Sequence, residues 1–141
     1  SSHSFDDTNA GPPSNGTSEC TGNGATHAGF SQHRYQAIAG MVSWRLAAGN
    51  ESMTNWTSAS SQQIFRRGSA GFIAINNTSS EWSTTFSTSL AAGKHCDVIT
   101  GGSNSSGCAA LAPSTDGLFS ASVPAINVLA IYTGLTPTSG T

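Results

Sequence analysis

Arg66-Arg67-Gly68-Ser69-Ala70-Gly71-Phe72-Ile73-Ala74-Ile75-Asn76-Asn77 is the stretch that decides the fold. Gly68 and Gly71 bracket a short polar turn, and the apolar run Phe72 to Ile75 that follows is ended by Asn-Asn. A turn signal feeding a short apolar run predicts a hairpin whose second strand is buried. Its first arm is Gln62-Gln63-Ile64-Phe65-Arg66, with an apolar pair to pack on the same layer.

Outward from this hairpin the chain stays β in character. Met53 to Trp56, Gln62 to Arg66, Gly71 to Asn76, Ser83 to Leu90, His95 to Thr100, Leu118 to Val123 and Val128 to Thr133 are predicted strands, separated by Gly, Pro, Asn and Ser clusters. Thr85-Phe86-Ser87 and Phe119 to Val123 alternate as half-buried antiparallel strands do. Pro137 to Thr141 is expected to fray. One helix precedes the strands: Ser31 is its predicted N-cap, and Tyr35, Ile38, Ala39, Val42 and Leu46 form an apolar stripe broadened by Met41 and Trp44. Gly49 stands where a left-handed residue ends such a helix. Residues 1–29 carry no period and read as an irregular arm. The expected fold is therefore all-β, an antiparallel Greek-key β-sandwich with one N-terminal α-helix and an irregular N-terminal arm.

The ordered motifs Thr54-Asn55-Trp56, then Phe65 to Asn77, then Leu90-Ala91-Ala92-Gly93-Lys94-His95-Cys96-Asp97-Val98-Ile99 resemble the C-terminal β-domain of animal-type and actinomycete α-amylases of glycoside hydrolase family 13. Upstream, His33 to Arg45 is similar to the last helix of that family's catalytic barrel, and Gly11-Pro12-Pro13 to the loop before it. The resemblance divides the chain into residues 1–49, an arm and helix like the end of the barrel, and residues 50–141, a sandwich like the family's C-terminal domain. The barrel strands that carry the family's catalytic carboxylates have no counterpart here. The chain is expected not to catalyse.

Cys96 and Cys108 match the family's disulfide in this domain. Closing that loop contributes about 3 kcal/mol in the chain-entropy model. Cys20 lies where the family places another cysteine, but its usual partner is missing, which leaves it a free thiol or an intermolecular bridge. An apolar helix that has lost its barrel and a cysteine that has lost its mate together predict a homodimer through Cys20 and the helix 31–48. The competing expectation is a helix folded on its own sandwich.

Composition bounds the partners. Only 9% of residues are charged and the net charge is −2, so no basic surface is available to hold nucleic acid or an anionic membrane. The sequons at Asn15, Asn50, Asn55, Asn76, Asn77 and Asn104 point to a secreted, extracellular glycoprotein. His3, Asp6 and Asp7 read as a solvated polar arm, and His27 and His33 lack the tight spacing of a zinc site, so neither metal nor cofactor is expected. Trp82, Trp56 and Tyr132 are the candidate stacking platforms for an α-glucan or another carbohydrate, Trp82 being expected to be the most exposed. The competing assignment puts Trp56 in the core and leaves Trp82 a lone surface aromatic. Two functions stand at this point: a non-catalytic, lectin-like carbohydrate-binding protein, or the structural C-terminal part of a starch-hydrolysing α-amylase.

Overall fold

Gly68 takes a positive φ of 50°, which a side chain would strain, and the turn it makes joins β4 (Gln62–Arg67) to β5 (Gly71–Asn76) in an unbroken antiparallel ladder from Gln62↔Asn76 to Arg67↔Gly71. The computed structural model describes residues 20–21, 24–25, 35–102, 104–106, 108–113 and 115–138. β3 (Met53–Ala59) pairs on the far side of β4, and β10 (Asn127–Tyr132) on the far side of β5, giving a four-stranded sheet in the order β10-β5-β4-β3. β6 (Trp82–Ser87) and β9 (Leu118–Val123) pair antiparallel as a second layer. Since β5 and β10 share one layer and β6 and β9 the other, the chain crosses between layers twice, and the expected antiparallel sandwich results.

Alternation along β5 sorts its side chains onto two cores. Phe72 and Ala74, with Leu129 and Ile131 of β10, face Phe86, Phe119 and Val123 of the second layer. Phe72 is fully buried and meets Phe86 and Phe119 edge-on, at centroid distances of 5.6 and 5.2 Å. Ile73 and Ala130 point the other way, onto Trp44 and Ala48 of α1 (Gln36–Ala48). The two arginines of the hairpin follow the same rule. Arg66 reaches across the sandwich to Ser87 O at 3.1 Å, Ser87 Oγ at 2.8 Å and Ser89 Oγ at 3.0 Å, while Arg67 donates to Glu51 O at 2.6 Å.

The helix packs on its own sheet, but not by the stripe that its sequence suggested. Gly40, Trp44 and Ala48 are its buried residues, whereas Tyr35, Ile38, Val42 and Leu46 are exposed, Leu46 to 75%. The Trp44 indole N–H lies 3.0 Å from Ile131 O and 3.3 Å from Phe72 O, so it reads the backbone of β5 and β10 directly. Gly71 makes room for it, because a Cβ there would sit 2.8 Å from the indole ring. α1 begins at Gln36 with Tyr35 as its cap residue; the expected cap Ser31 lies outside the described residues. Gly49 ends it at φ 50°, its N–H on Arg45 O and Leu46 O.

Three strand expectations are corrected. His95–Thr100 is a strand only at β7 (His95–Cys96); Asp97 then accepts from the N–H groups of Ile99 and Thr100 and caps α2, a helical turn over Val98–Gly101. β7 pairs with β8 (Ala110–Leu111), a strand the sequence did not announce. β6 stops at Ser87 instead of Leu90, where Thr88 turns to donate its N–H to Gly117 O. β3 runs past Trp56 to Ala59 through a bulge between Thr54 and Thr57, with Asn55 at φ 50°. Within the arm, β1 (Cys20–Thr21) and β2 (Gly24–Ala25) form a short ladder where no regular structure was expected. Near the C-terminus, Thr138 N donates to Ser105 O, so the chain is tied down to that residue.

Candidate functional site

The candidate aromatics do not gather. Trp56 stands on β3, the edge of the four-stranded sheet, and Tyr132 on β10, the opposite edge, while Trp82 belongs to the second layer. Their exposure is the reverse of the expectation. Trp56 is 56% exposed, because it lies in the bulge of an edge strand whose every residue is exposed. Trp82 is half-buried: its ring packs edge-on against Phe86 at 5.1 Å and closes the end of the aromatic core. Sequence type alone could not separate them, but the edge position of β3 could. Tyr132 is half-buried against the helix-side core, and that burial pushes its phenol pKa up by desolvation.

Trp56 borders an open part of the sheet. Stepping back from Thr57, which pairs with Ile64 on the aromatic-core side, alternation puts Trp56 on the helix side with Phe65. There Trp44 covers Phe65, with centroids 6.3 Å apart; in the next row of the same face, Ser58 and Gln63 are exposed, and Ile75 and Val128 are only partly buried at the edge of the helix-side core. Gln63, Ile75 and Val128 of this row floor a cleft of about 420 Å³, walled by Ser60, Ser61, Asn76, Asn77, Ile126 and Asn127.

The sequons also separate on geometry. Asn76 is 1% exposed and its side-chain nitrogen, the atom a glycan would take, lies within 3.0 Å of Ser80 O, Val123 O and Pro124 O. Its Oδ1 accepts from Thr78 N and Oγ1. The folded chain therefore excludes a glycan on Asn76, whereas Asn50, Asn55, Asn77 and Asn104 are exposed. Asn15 lies outside the described residues, as do His3, Asp6, Asp7, His27, His33 and the side chain of Cys20.

Cys96 and Cys108 form a disulfide with Cα atoms 5.5 Å apart, fastening β7 beside α2. The Asp97 carboxylate is spent on structure: besides capping α2 it accepts from Thr100 Oγ1 at 2.9 Å and from Ala130 N at 3.0 Å, joining α2 to β10. Glu81 accepts from its neighbour Ser83 at 3.0 Å. Among the described residues no three His, Cys, Asp or Glu side chains converge as a metal-binding group, and no helix is long and apolar enough to cross a membrane.

Comparison with known proteins places this geometry. Residues 56–134 match the family model of the α-amylase C-terminal all-beta domain. An α-amylase-related protein of Drosophila willistoni is 36% identical over 83% of this chain and 25% of its own length. An α-amylase of Streptomyces violaceus is 36% identical over 99% of this chain and 24% of its own. The structure of a mutant α-amylase I from Eisenia fetida complexed with maltohexaose superposes with a TM-score of 0.70 at 29% identity, over 89% of this chain and 28% of that one. The chain thus spans about a quarter of the length of the relatives it matches. With the sandwich, the hairpin and the matched span in agreement, the chain belongs to the α-amylase C-terminal all-beta domain family.

Proposed function

We propose that this chain is the non-catalytic C-terminal part of a secreted, starch-hydrolysing α-amylase, and that the outer side of α1 is the surface by which it seats on the rest of the catalytic domain. The observation that carries this reading is the stripe Tyr35, Ile38, Val42 and Leu46, four large exposed side chains in a row on one helix face, with nothing over them among the described residues. A contiguous exposed apolar surface of this kind marks an interface. The relatives' extra length and the shared fold supply a partner of the right kind. Residues 1–49 are on this reading the end of the catalytic domain, and residues 50–141 the appended sandwich. Export fits the Cys96–Cys108 disulfide, the exposed sequons and the pancreatic amylases of mouse and human among the relatives.

The test is a pair of charge insertions, Val42→Asp and Leu46→Asp, made both in this chain and in the full-length enzyme. In the chain alone they replace solvated side chains, and the unfolding free energy is expected to shift by no more than about 0.5 kcal/mol. In the full-length enzyme they bury two charges and its thermal inactivation temperature falls. An unchanged full-length enzyme sinks the reading. A dimer of the isolated chain that Leu46→Asp dissociates would instead give the face to a second copy, with Cys20 as the arm's cross-link.

A second reading is favoured by Trp56. An edge-strand indole 56% exposed offers a flat apolar face to a pyranose ring, which is the requirement of a lectin-like protein that binds α-glucan without cleaving it.

A further inference from the structure

We infer that Trp56 and the cleft beside it form one binding track for a neutral oligosaccharide, lying over the end of the four-stranded sheet beyond Trp44. The inference rests on the second reading and assigns it a place, a ligand class and a set of residues.

Three observations carry it. The first is position: the row Ser58, Gln63, Ile75 and Val128 runs across all four strands in register, one row from Phe65, where the Trp44 cover ends. Trp56 stands at the border of the covered and open rows. Along β3 it lies three residues from Ala59, about 10 Å at the rise of a strand, and Ser60 of the cleft is the turn residue next to Ala59, so platform and cleft can share one extended ligand.

The second is chemistry. Every polar side chain lining the cleft is a neutral amide or hydroxyl: Ser60, Ser61, Gln63, Asn76, Asn77 and Asn127. Amides donate and accept at once, as do the hydroxyls of a sugar, whereas a phosphate or carboxylate would find no cation here. Ile75 and Val128 give the floor an apolar strip to place under the C–H face of a ring.

The third is division of labour within the lining. Asn76 is spent on holding the β5 end to the β9–β10 turn, and Asn127 Oδ1 accepts from Val128 N, so these two fix the walls. Gln63, Ser60, Ser61 and Asn77 are exposed and face the ligand's side. A rigid wall with an exposed polar set is the arrangement of a preformed sugar site.

The experiment is a calorimetric titration of the chain with maltohexaose, and in parallel with maltohexaose carrying a terminal phosphate. Wild type is expected to bind the neutral sugar, and the phosphorylated one no better. Trp56→Ala should weaken binding roughly tenfold, the scale of one stacking contact, and Gln63→Ala several-fold. Trp82→Ala should leave affinity within about twofold once its folding is verified by circular dichroism. Trp56 and Gln63 are exposed, so their variants keep the fold. Binding that survives Trp56→Ala and Gln63→Ala unchanged overturns the track while sparing the sugar-binding reading. Absence of binding by wild type overturns both.

Discussion

The two faces of the four-stranded sheet are closed by different means. On the inner face Phe72 meets Phe86 and Phe119 edge-on, those two rings lie tilted against each other, all within 5.6 Å, and Val123 and Ile131 fill in behind them. On the helix face a single indole, Trp44, lies over Gly71 and Ile73, with Val98 and the disulfide at one side. The inner face is a sealed core between two sheets. The helix face is sealed where Trp44, Ala48 and Val98 reach, and beyond them the same sheet is open enough to hold a cleft. One strand, β5, feeds both, and the side chains that alternate along it end in environments of different strength.

The sharpest way to break this contrast is at Phe72. Phe72→Ala removes a fully buried ring from between two others and is expected to cost about 3–5 kcal/mol in urea unfolding, with no change in slope. Trp44→Phe should cost less, about 1–3 kcal/mol, since it deletes one N–H shared by Phe72 O and Ile131 O and thins the helix's contact without opening the aromatic core. Amide exchange sharpens the point. In Trp44→Phe the amides of α1 should exchange faster while those of β5 keep their protection, and a uniform loss of protection would mean that the two faces are one cooperative unit.

That ordering was partly legible in the sequence. Gly68 and Gly71 around a polar turn, with an apolar run behind them, specify the hairpin and the burial of β5 by local rules, and the alternation at Phe119 to Val123 specifies β9. The helix was legible as a helix but not in its facing. Its strongest apolar stripe is the one left exposed, and the face that packs is marked by Gly40, Trp44 and Ala48, where two small residues carry almost no hydrophobic signal. They matter by allowing approach: a Cβ on Gly40 would lie 2.4 Å from Val98 O. Asp97 was legible as a cap, had Val98, Ile99 and Thr100 not looked like a strand. The candidate site was less legible, because Trp56 owes its exposure to an edge strand and a bulge, and the cleft is assembled from three segments distant in sequence.

The smallest expected effect tests how shut the helix face is at its margin. Tyr132 packs there on the helix-side core, and its burial raises the phenol pKa above the ordinary value of 10.0. The folded chain therefore holds the proton more tightly than the unfolded chain does. Stability from this group is fully present below about pH 10 and is lost as pH rises through the folded-state value, because the unfolded phenol ionises first. Unfolding free energies measured at increasing alkalinity should fall in wild type and fall less steeply in Tyr132→Phe, with the two curves meeting near neutrality apart from a constant offset. Parallel curves throughout would mean that water reaches the Tyr132 hydroxyl as freely in the folded chain as in the unfolded one. The helix face would then be open at both edges of the sheet, at Trp56 on β3 and at Tyr132 on β10, and the contacts of Gly40, Trp44 and Ala48 between them would be what holds the helix.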